Sequence, residues 1–397
     1  MNKRLDHLNL YPFEKLNKLI DDVTPAIGQK PISLALGEPK HSAPSFLIEA
    51  YCDPIAITNG FGTYPPTRGI PKLREAIASF VSKRFNLSQE INPDTEVLPV
   101  NGTREALFAI AQVVINGSGL TLIPNPFYQI YEGATILAGS ATRYIPCKET
   151  NNFNPDFSEI TEAEWRDCSL VYLCTPGNPS GSIMSIEDLQ YVIMKSDEYD
   201  FTIVSDECYS EIYSATPPPG LLEAASAMGR DDYKNCLAFN SLSKRSNLPG
   251  LRSGYVCGDS NILDKFLLYR TYHGSAMPVQ NQWISALAWQ DEEHVAVNRK
   301  LYTEKYEAFL EIIKPVWPMQ QPEAGFYLWP KTPIPDEEFT IKLLSQTNVK
   351  VVPGSYLARE VNGVNPGANR VRLALVAELE QCVEAANRIK QFFKHLG

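Results

Sequence analysis

Across residues 96–258, short runs rich in β-branched and aromatic residues alternate with stretches whose apolar residues recur at helical spacing. The pattern predicts strands at EVLPV, LTLIP, SLVYLC, FTIVSDE, CLAFNS and SGYVCG, and helices at GTREALFAIAQVVI, from Tyr128 and after Ser185. Strands that alternate with helices form a mostly parallel sheet with helices on both of its faces. We therefore expect an α/β fold in which ligands bind beyond the carboxyl ends of the strands.

After Asn261 the pattern changes to long amphipathic stretches, of which 293–314 is one example. The strand-like run RVRLALV and a helical stretch over 378–394 follow, while YPFEKLNKLIDDV and ISLALG near the start are helical and strand-like. We expect these two regions to form one smaller α+β domain. The predicted division is a large domain over 46–290, a small domain over 14–45 and 291–397, and an N-terminal arm over 1–13.

The charge of the chain limits its partners. Its 36 Lys and Arg against 46 Asp and Glu give a net charge of −10, with both signs dispersed. Such a surface disfavours nucleic acid or an anionic membrane as the main partner, so an anionic ligand needs a local positive site.

The longest uncharged run, 106–131, is too interrupted by glycine and proline to span a membrane. The eight cysteines, with no C-x-x-C pair, indicate reduced core thiols in a soluble cytoplasmic protein without a metal site.

The segment SLSKRSNLPGLRSG, residues 241–254, carries the strongest chemical signal. Lys244 follows a strand-like run, and burial beside a cation would lower the pKa of its amine enough to form a Schiff base. Ser241, Ser243 and Arg252 could hold an anionic group. A bare Ser-Lys-Arg is more often a solvated basic turn, but the ordered hydroxyls and the arginine around this lysine favour a cofactor site.

Two further motifs follow predicted strands. Asp206 ends the run FTIV, where a carboxylate could keep a pyridine nitrogen protonated, and Tyr209 could donate to a ring oxygen. Asn178, in the Pro- and Gly-rich loop after SLVYLC, could donate through its amide to the same oxygen. Taken alone, a carboxylate at the end of a strand is more often a metal ligand, a helix cap or a solvated side chain, and the loop could equally be a simple turn.

The segment VNGTRE places a glycine turn between a predicted strand and a predicted helix. Main-chain N–H groups of Gly102, Thr103 and Arg104 at the start of this helix could hold a phosphate. For this segment alone, ordinary helix capping is the simpler interpretation.

Together these motifs resemble the class I/II aminotransferases of the pyridoxal-phosphate fold-type I superfamily, in which Asn, Asp-x-x-Tyr, Ser-x-Ser-Lys and Arg occur in this order. The resemblance extends to LGEP at 36–39, Tyr64, Tyr128 and Arg372, so it covers nearly the whole chain. It implies an aspartate-aminotransferase-like fold, in which a smaller domain closes over a large cofactor domain. It also implies pyridoxal 5′-phosphate as the cofactor and amino acids and 2-oxo acids as substrates.

The resemblance assigns a role to each matching residue. Lys244 corresponds to the lysine that binds the cofactor as an aldimine and moves the proton between Cα and C4′, and Asp206 to the partner of the pyridine nitrogen. Asn178 and Tyr209 would contact the ring oxygen O3′, and Tyr128 would stack on the ring. The phosphate would be held by groups of Gly102, Thr103, Arg104, Ser241, Ser243 and Arg252.

Substrate binding and assembly are implied in the same way. Arg372 corresponds to the arginine that pairs at two points with the substrate α-carboxylate, while Gly37 and Asn178 lie beside the substrate. Arg370, two residues away and facing the same side of the predicted strand, stays open as the alternative. Tyr64 corresponds to a residue that reaches the cofactor phosphate of the neighbouring subunit, which implies a homodimer with shared sites.

The runs NGTREALFA, PNPFYQIYEGA and VRLALVAELEQCVEAANRI are most similar to succinyldiaminopimelate aminotransferases of bacterial lysine biosynthesis. This similarity implies ping-pong exchange of an amino group between N-succinyl-LL-2,6-diaminopimelate and 2-oxoglutarate, with Arg104 as a candidate for the distal carboxylate. Ala324 departs from the pattern, because many relatives have glycine there. It lies in the loop expected on the substrate side of the site, so it could affect which substrate binds. The alternatives are an aspartate, alanine or aromatic aminotransferase, a pyridoxal-phosphate C–S lyase, and an effector-binding domain, which would need a DNA-binding region for which the chain leaves no room.

Overall fold

The computed structural model describes residues 1–396. Its helices are α1 (Pro12–Ile20), α2 (Ser45–Tyr51), α3 (Pro54–Phe61), α4 (Pro71–Arg84), α5 (Thr103–Val114), α6 (Ile130–Ala138), α7 (Glu162–Asp167), α8 (Ile186–Tyr199), α9 (Leu221–Ala227), α10 (Leu242–Arg245), α11 (Ser260–His273), α12 (Val279–Gln290), α13 (Glu293–Ile313), α14 (Asp336–Thr347) and α15 (Leu379–Leu396). Its strands are β1 (Ile32–Ser33), β2 (Val97–Val100), β3 (Leu120–Asn125), β4 (Ala141–Pro146), β5 (Cys168–Cys174), β6 (Thr202–Asp206), β7 (Cys236–Ser241), β8 (Gly254–Gly258), β9 (Tyr327–Leu328), β10 (Val349–Lys350), β11 (Val352–Pro353) and β12 (Val371–Ala374).

Seven strands form one sheet in the order β2-β8-β7-β6-β5-β3-β4. Strands β7, β6, β5, β3 and β4 are parallel, while β8 runs antiparallel to β2 and β7. The expected α/β fold with a mostly parallel sheet is thus confirmed. The edge strand β4 was not predicted, because its run ATRYIP is polar and only half-buried. The helix predicted from Tyr128 begins two residues later, at Ile130, after Gln129 as its N-cap.

Alternate side chains of each central strand enter two different cores. On β5, Val171 and Leu173 pack with α4, α8, α9 and α12, whereas Leu170 and Tyr172 pack with α5, α6 and α11. Helices therefore cover both faces of the sheet, which explains why its strands are apolar almost throughout. The polar residues that end these strands are left at one open edge.

A second group of strands joins the two ends of the chain. Strand β1 pairs in parallel with β10, and β12 lies between β11 and β9 in an antiparallel sheet. Helices α13, α14 and α15 pack on these strands around a core that includes Phe309, Leu343 and Ile389. The positions of the domain boundaries stay a prediction.

The first residues of the chain lie against α6. Nη1 of Arg4 donates to the carbonyl of Leu137 at 3.2 Å, and Nδ2 of Asn9 donates to Glu132 Oε2 at 3.3 Å. These contacts bring Tyr11 to the edge of the cavity described below.

Two expectations drawn from composition can be compared with the structure. Cys52, which follows α2, is exposed, so the prediction of a core thiol is wrong for this residue; its position beyond the end of a surface helix explains the exposure. Within residues 1–396, no helix is both long and apolar enough to cross a membrane.

Candidate active site

A cavity of about 470 Å³ opens at the carboxyl ends of β5, β6 and β7. Asn178, Asp206 and Ser241 reach it from the ends of these three strands, because the carboxyl ends of parallel strands meet at one edge of a sheet. The other predicted site residues that line the same cavity are Gly37, Thr103, Arg104, Tyr128, Tyr209, Ser243, Lys244, Arg252 and Arg372.

Lys244 lies on α10, the short helix that follows β7. Its Nζ donates to the carbonyl of Gly37 at 2.6 Å and lies 5.3 Å from the centre of the Phe326 ring. Burial, reinforced by the nearby cations Arg372 and Arg252, lowers the pKa of the amine to about 8. The direction agrees with the sequence-based expectation, and about a tenth of the amine is uncharged and nucleophilic at pH 7.

Asp206 is the last residue of β6 and is 4% exposed. Its Oδ2 accepts a hydrogen bond from the Tyr131 hydroxyl at 2.7 Å, and its Oδ1 accepts from the main-chain N–H of Cys208 at 3.3 Å. Burial raises the pKa of this carboxyl. A cation placed beside a buried carboxylate stabilises its charged form, so this carboxylate suits the N–H of a protonated pyridine ring as its acceptor.

The start of α5 forms a cradle of hydrogen-bond donors. Gly102 has a φ of 80°, and a β-carbon there would overlap the guanidinium of Arg252. The main-chain N–H of Gly102 is already engaged, because it donates to the carbonyl of Val100 at 2.8 Å, whereas the first N–H groups of α5 have no partner within the helix. On the adjoining wall, the hydroxyls of Ser241 and Ser243 lie 3.0 Å apart. Helix N–H groups, hydroxyls and a guanidinium together suit a phosphate.

Two further predicted side chains, Tyr128 and Asn178, line the cavity. Tyr128 lines the cavity just before α6, with its ring edge-on to Tyr131 at 5.7 Å between ring centres. Asn178 accepts a hydrogen bond through Oδ1 from Arg372 at 3.0 Å, which leaves its NH₂ as the group that can donate to a ring oxygen.

Arg372 lies on β12 and is 4% exposed. Besides its bond to Asn178, its Nη2 donates to the carbonyl of Ala35 at 2.9 Å, and its guanidinium carbon lies 4.4 Å from the centre of the Tyr327 ring. Its Nε–H has no hydrogen-bond partner among residues 1–396. A buried, fixed guanidinium that still lacks an acceptor is suited to bind a carboxylate.

Arg370, the alternative, does not line this cavity. Its Nη1 donates to the carbonyl of Trp329 at 2.9 Å and its Nη2 to Glu149 Oε2 at 3.0 Å. Because Arg370 lies outside the cavity and its charge is already paired with Glu149, the geometry favours Arg372 as the carboxylate-binding residue.

Three residues at the site were not predicted from the sequence. Tyr131 bonds to Asp206 as described, Tyr327 places its hydroxyl 3.0 Å from that of Tyr209, and Cys208 contacts the Thr103 hydroxyl through its sulfur at 3.1 Å. Tyr327 belongs to the run PEAGFYLW, in which nothing distinguishes its hydroxyl from that of a core tyrosine.

Tyr64 is 96% exposed and does not line the cavity of its own chain. Its contact with the cofactor phosphate of a neighbouring subunit stays a prediction.

The family model described as aminotransferase class I and II matches residues 29–389. The LL-diaminopimelate aminotransferase of Natranaerobius thermophilus is 28% identical over 395 residues, which cover 98% of this chain and 98% of that protein. An aminotransferase from Neisseria meningitidis Z2491 has a similar structure, with a TM-score of 0.94, 43% identity and coverage of 99% of this chain and 100% of that one. The aminotransferase AspB from Helicobacter pylori 26695 has a TM-score of 0.89 and 33% identity, over 98% of this chain and 99% of its own.

Proposed function

Because this chain belongs to the class I and II aminotransferases, whose members use pyridoxal phosphate, we propose that it exchanges an amino group between N-succinyl-LL-2,6-diaminopimelate and 2-oxoglutarate. The proposal is carried by one cavity that contains a buried amine, Lys244, and two guanidinium groups, those of Arg372 and Arg104. Arg372 is buried and Arg104 is exposed, so the two cations lie at different depths. Two cations at different depths of one cavity suit a substrate with more than one carboxylate.

The residues of the cavity fit the cofactor. Pyridoxal phosphate, when bound, supplies an electron sink for the charge left when the substrate Cα–H bond breaks. In the proposal, Asp206 holds the ring nitrogen, Asn178 and Tyr209 contact the ring oxygen, and Tyr128 contacts the ring face. The phosphate is held by the main-chain N–H groups of Thr103 and Arg104 beside Gly102 and by the side chains of Ser241, Ser243 and Arg252, which leaves the Arg104 guanidinium for the substrate.

Lys244 is proposed to bind the cofactor covalently and, once the substrate has displaced it, to move a proton from the substrate Cα on its Nζ. The pKa of about 8 suits both tasks, because the free amine is a nucleophile and a base near neutral pH. Arg372 orients the substrate by its α-carboxylate. After the first product leaves, the 2-oxo acid binds to the same residues and accepts the amino group. The two substrates therefore use one site in turn, and the kinetics are ping-pong.

Unmodified LL-diaminopimelate is a second candidate substrate, favoured by the name of the Natranaerobius relative. The far end of this molecule carries an ammonium beside its carboxylate, whereas the far end of the succinylated molecule carries carboxylates and no ammonium. The guanidinium of Arg104 lies 5.5 Å from the centre of the Tyr11 ring, within the cavity lining. A cation in this place favours the more anionic, succinylated end.

The proposal includes a homodimer. Large apolar side chains are exposed along one stretch that contains α2 and α3, and they are Phe46, Ile48, Tyr51, Ile55, Phe61 and Tyr64. Soluble monomers rarely expose so many neighbouring apolar groups. In the proposal, a second copy covers this stretch, and Tyr64 reaches the cavity of the partner.

The test mixes the yellow holoenzyme, without any 2-oxo acid, with N-succinyl-LL-diaminopimelate, LL-diaminopimelate, glutamate, aspartate or phenylalanine, and follows the loss of visible absorbance. Fast loss with the succinylated compound and with glutamate supports the proposal. Fast loss with unmodified LL-diaminopimelate selects the second candidate, and loss mainly with aspartate or phenylalanine selects a general aminotransferase. Release of pyruvate and ammonia from cystathionine without an acceptor would identify a lyase.

A further inference from the structure

A side chain of α13 holds the main chain around Lys244 through two hydrogen bonds. Because α10 has only four residues, its last carbonyls have no partner within the helix. Nδ2 of Asn298 donates to the carbonyl of Lys244 at 3.1 Å and to that of Arg245 at 3.2 Å. Asn298 is 3% exposed, so water does not compete for these bonds.

The other half of the Asn298 amide is engaged as well. Its Oδ1 accepts from Asn247 Nδ2 at 2.8 Å and faces Nδ1 of His41 at 2.9 Å. Since the two carbonyls of α10 fix the NH₂ group, Oδ1 can only accept, and Nδ1 of His41 must carry the hydrogen. Each donor and each acceptor of the amide is therefore used, and the side chain has a single orientation.

His41 connects this network to the segment that lies beside the substrate. Gly37, four residues earlier, accepts the hydrogen bond from Lys244 Nζ at 2.6 Å. The segment 37–41 is thus linked to Lys244 in two ways. Gly37 contacts the amine directly, and His41 is connected to the main chain of Lys244 through Asn298.

We propose that Asn298 is a positioning residue for Lys244, an inference that rests on the proton-transfer role proposed for this lysine. With its main chain fixed, Lys244 carries the proton by movement of its side chain alone. Loss of the two amide–carbonyl bonds frees the turn at α10, and a shift of about 1 Å at a reacting atom lowers the rate about 100-fold. Substrate binding depends on Arg372 and is preserved.

The experiment measures Asn298→Ala and Asn298→Ser as holoenzymes beside the parent. We expect kcat of Asn298→Ala to fall about 10- to 100-fold while KM stays within about threefold. Asn298→Ser keeps a polar group at this buried position, but its side chain is one bond shorter and does not reach the two carbonyls, so its kcat should fall as in Asn298→Ala. Without substrate, the pH midpoint of the lysine–cofactor absorbance should shift by about half a unit or more in Asn298→Ala.

Ser196→Ala is the matched control, because Ser196 is buried on α8 and donates to the carbonyl of Phe201 at 2.6 Å. It removes a buried bond to a carbonyl away from the cavity, so it should lower the unfolding midpoint without changing kcat or the absorbance midpoint. The proposal is overturned if Asn298→Ala, or Asn298→Ser should the alanine variant not fold, keeps kcat within about twofold and the absorbance midpoint of the parent. Activity retained by Lys244→Ala would overturn the proposed role of the lysine, and this inference with it.

Discussion

The hydroxyl of Tyr327 occupies the space that a β-carbon on Gly37 would need. The carbonyl of the same Gly37 accepts the 2.6 Å hydrogen bond from Lys244. Residue 37 is therefore fixed between an aromatic ring of the small antiparallel sheet and the amine proposed to react, and only glycine fits there.

Gly37→Ala should lower kcat/KM for the amino-acid substrate about 10- to 100-fold, because either the Tyr327 ring or the Gly37 carbonyl must move. Steady-state kinetics measure this loss. Gly133→Ala is the control, since a β-carbon on that α6 residue meets only one ordinary contact, at 3.9 Å. Equal losses in the two variants would contradict the steric explanation.

The pKa of about 8 for Lys244 should control how fast the apoprotein captures its cofactor. Only the neutral amine attacks the aldehyde, so the rate should rise about tenfold between pH 7 and pH 9 and then level off. Stopped-flow absorbance measures the rate, and a further tenfold rise from pH 9 to pH 10 would indicate an ordinary lysine.

The same shift affects the stability of the apoprotein. The folded state holds the Lys244 proton less tightly than the unfolded chain, so this group adds stability as the pH rises from about 8 towards 10.5. Denaturant unfolding of the parent and Lys244→Met should therefore show a difference that changes in this pH range, in favour of the parent at the higher pH.

Arg372→Lys should raise KM for both the amino acid and the 2-oxo acid about 100-fold, because an ammonium cannot keep the Asn178 and Ala35 contacts and also pair at two points with a carboxylate. Arg370→Lys should leave KM within about threefold and lower the unfolding temperature, since its contacts are structural. The opposite pattern in the two variants would transfer the carboxylate role to Arg370.

Arg104→Gln should raise KM for the succinylated substrate about tenfold and leave KM for alanine within about twofold, because alanine has no second carboxylate. Initial rates with the two amino donors measure the difference. If KM rises equally for both, Arg104 does not bind the distal carboxylate.

Mixed dimers test the position of Tyr64. Lys244→Ala subunits that retain Tyr64, refolded with Tyr64→Ala subunits that retain Lys244, form one intact site per heterodimer if Tyr64 acts across the interface. At limiting cofactor, the mixture should regain up to about a quarter of the parental activity. No gain over the separate variants would place Tyr64 outside the partner's site.

The position of the site could be predicted because it follows from the order of the strands. Asn178, Asp206 and Ser241 each come after an apolar run, and parallel strands bring such residues to one edge. The choice between Arg370 and Arg372 could not be made from the strand pattern, because both face the same side and contacts with distant segments decide it.

Tyr131 and Tyr327 show what sequence patterns cannot predict. Each hydroxyl matters through a partner far away along the chain, Asp206 for the first and Tyr209 for the second. In the sequence, both look like ordinary core aromatics. Strand β4 was not predicted for a related reason: an edge strand buries few of its side chains, so its sequence is not apolar.

During synthesis, β1 leaves the ribosome roughly 300 residues before β10, the strand with which it pairs, an interval of about 15 to 60 s at typical elongation rates. All strands of the seven-stranded sheet have emerged by Gly258, well before that interval ends. Leu16, Ile32 and Leu34, which are buried in the folded protein, lack their late-arriving partners in the meantime and are open to chaperones or to aggregation. The seven-stranded sheet that carries Asp206 and Ser241 is therefore synthesised before strands β9 to β12, which carry Tyr327 and Arg372.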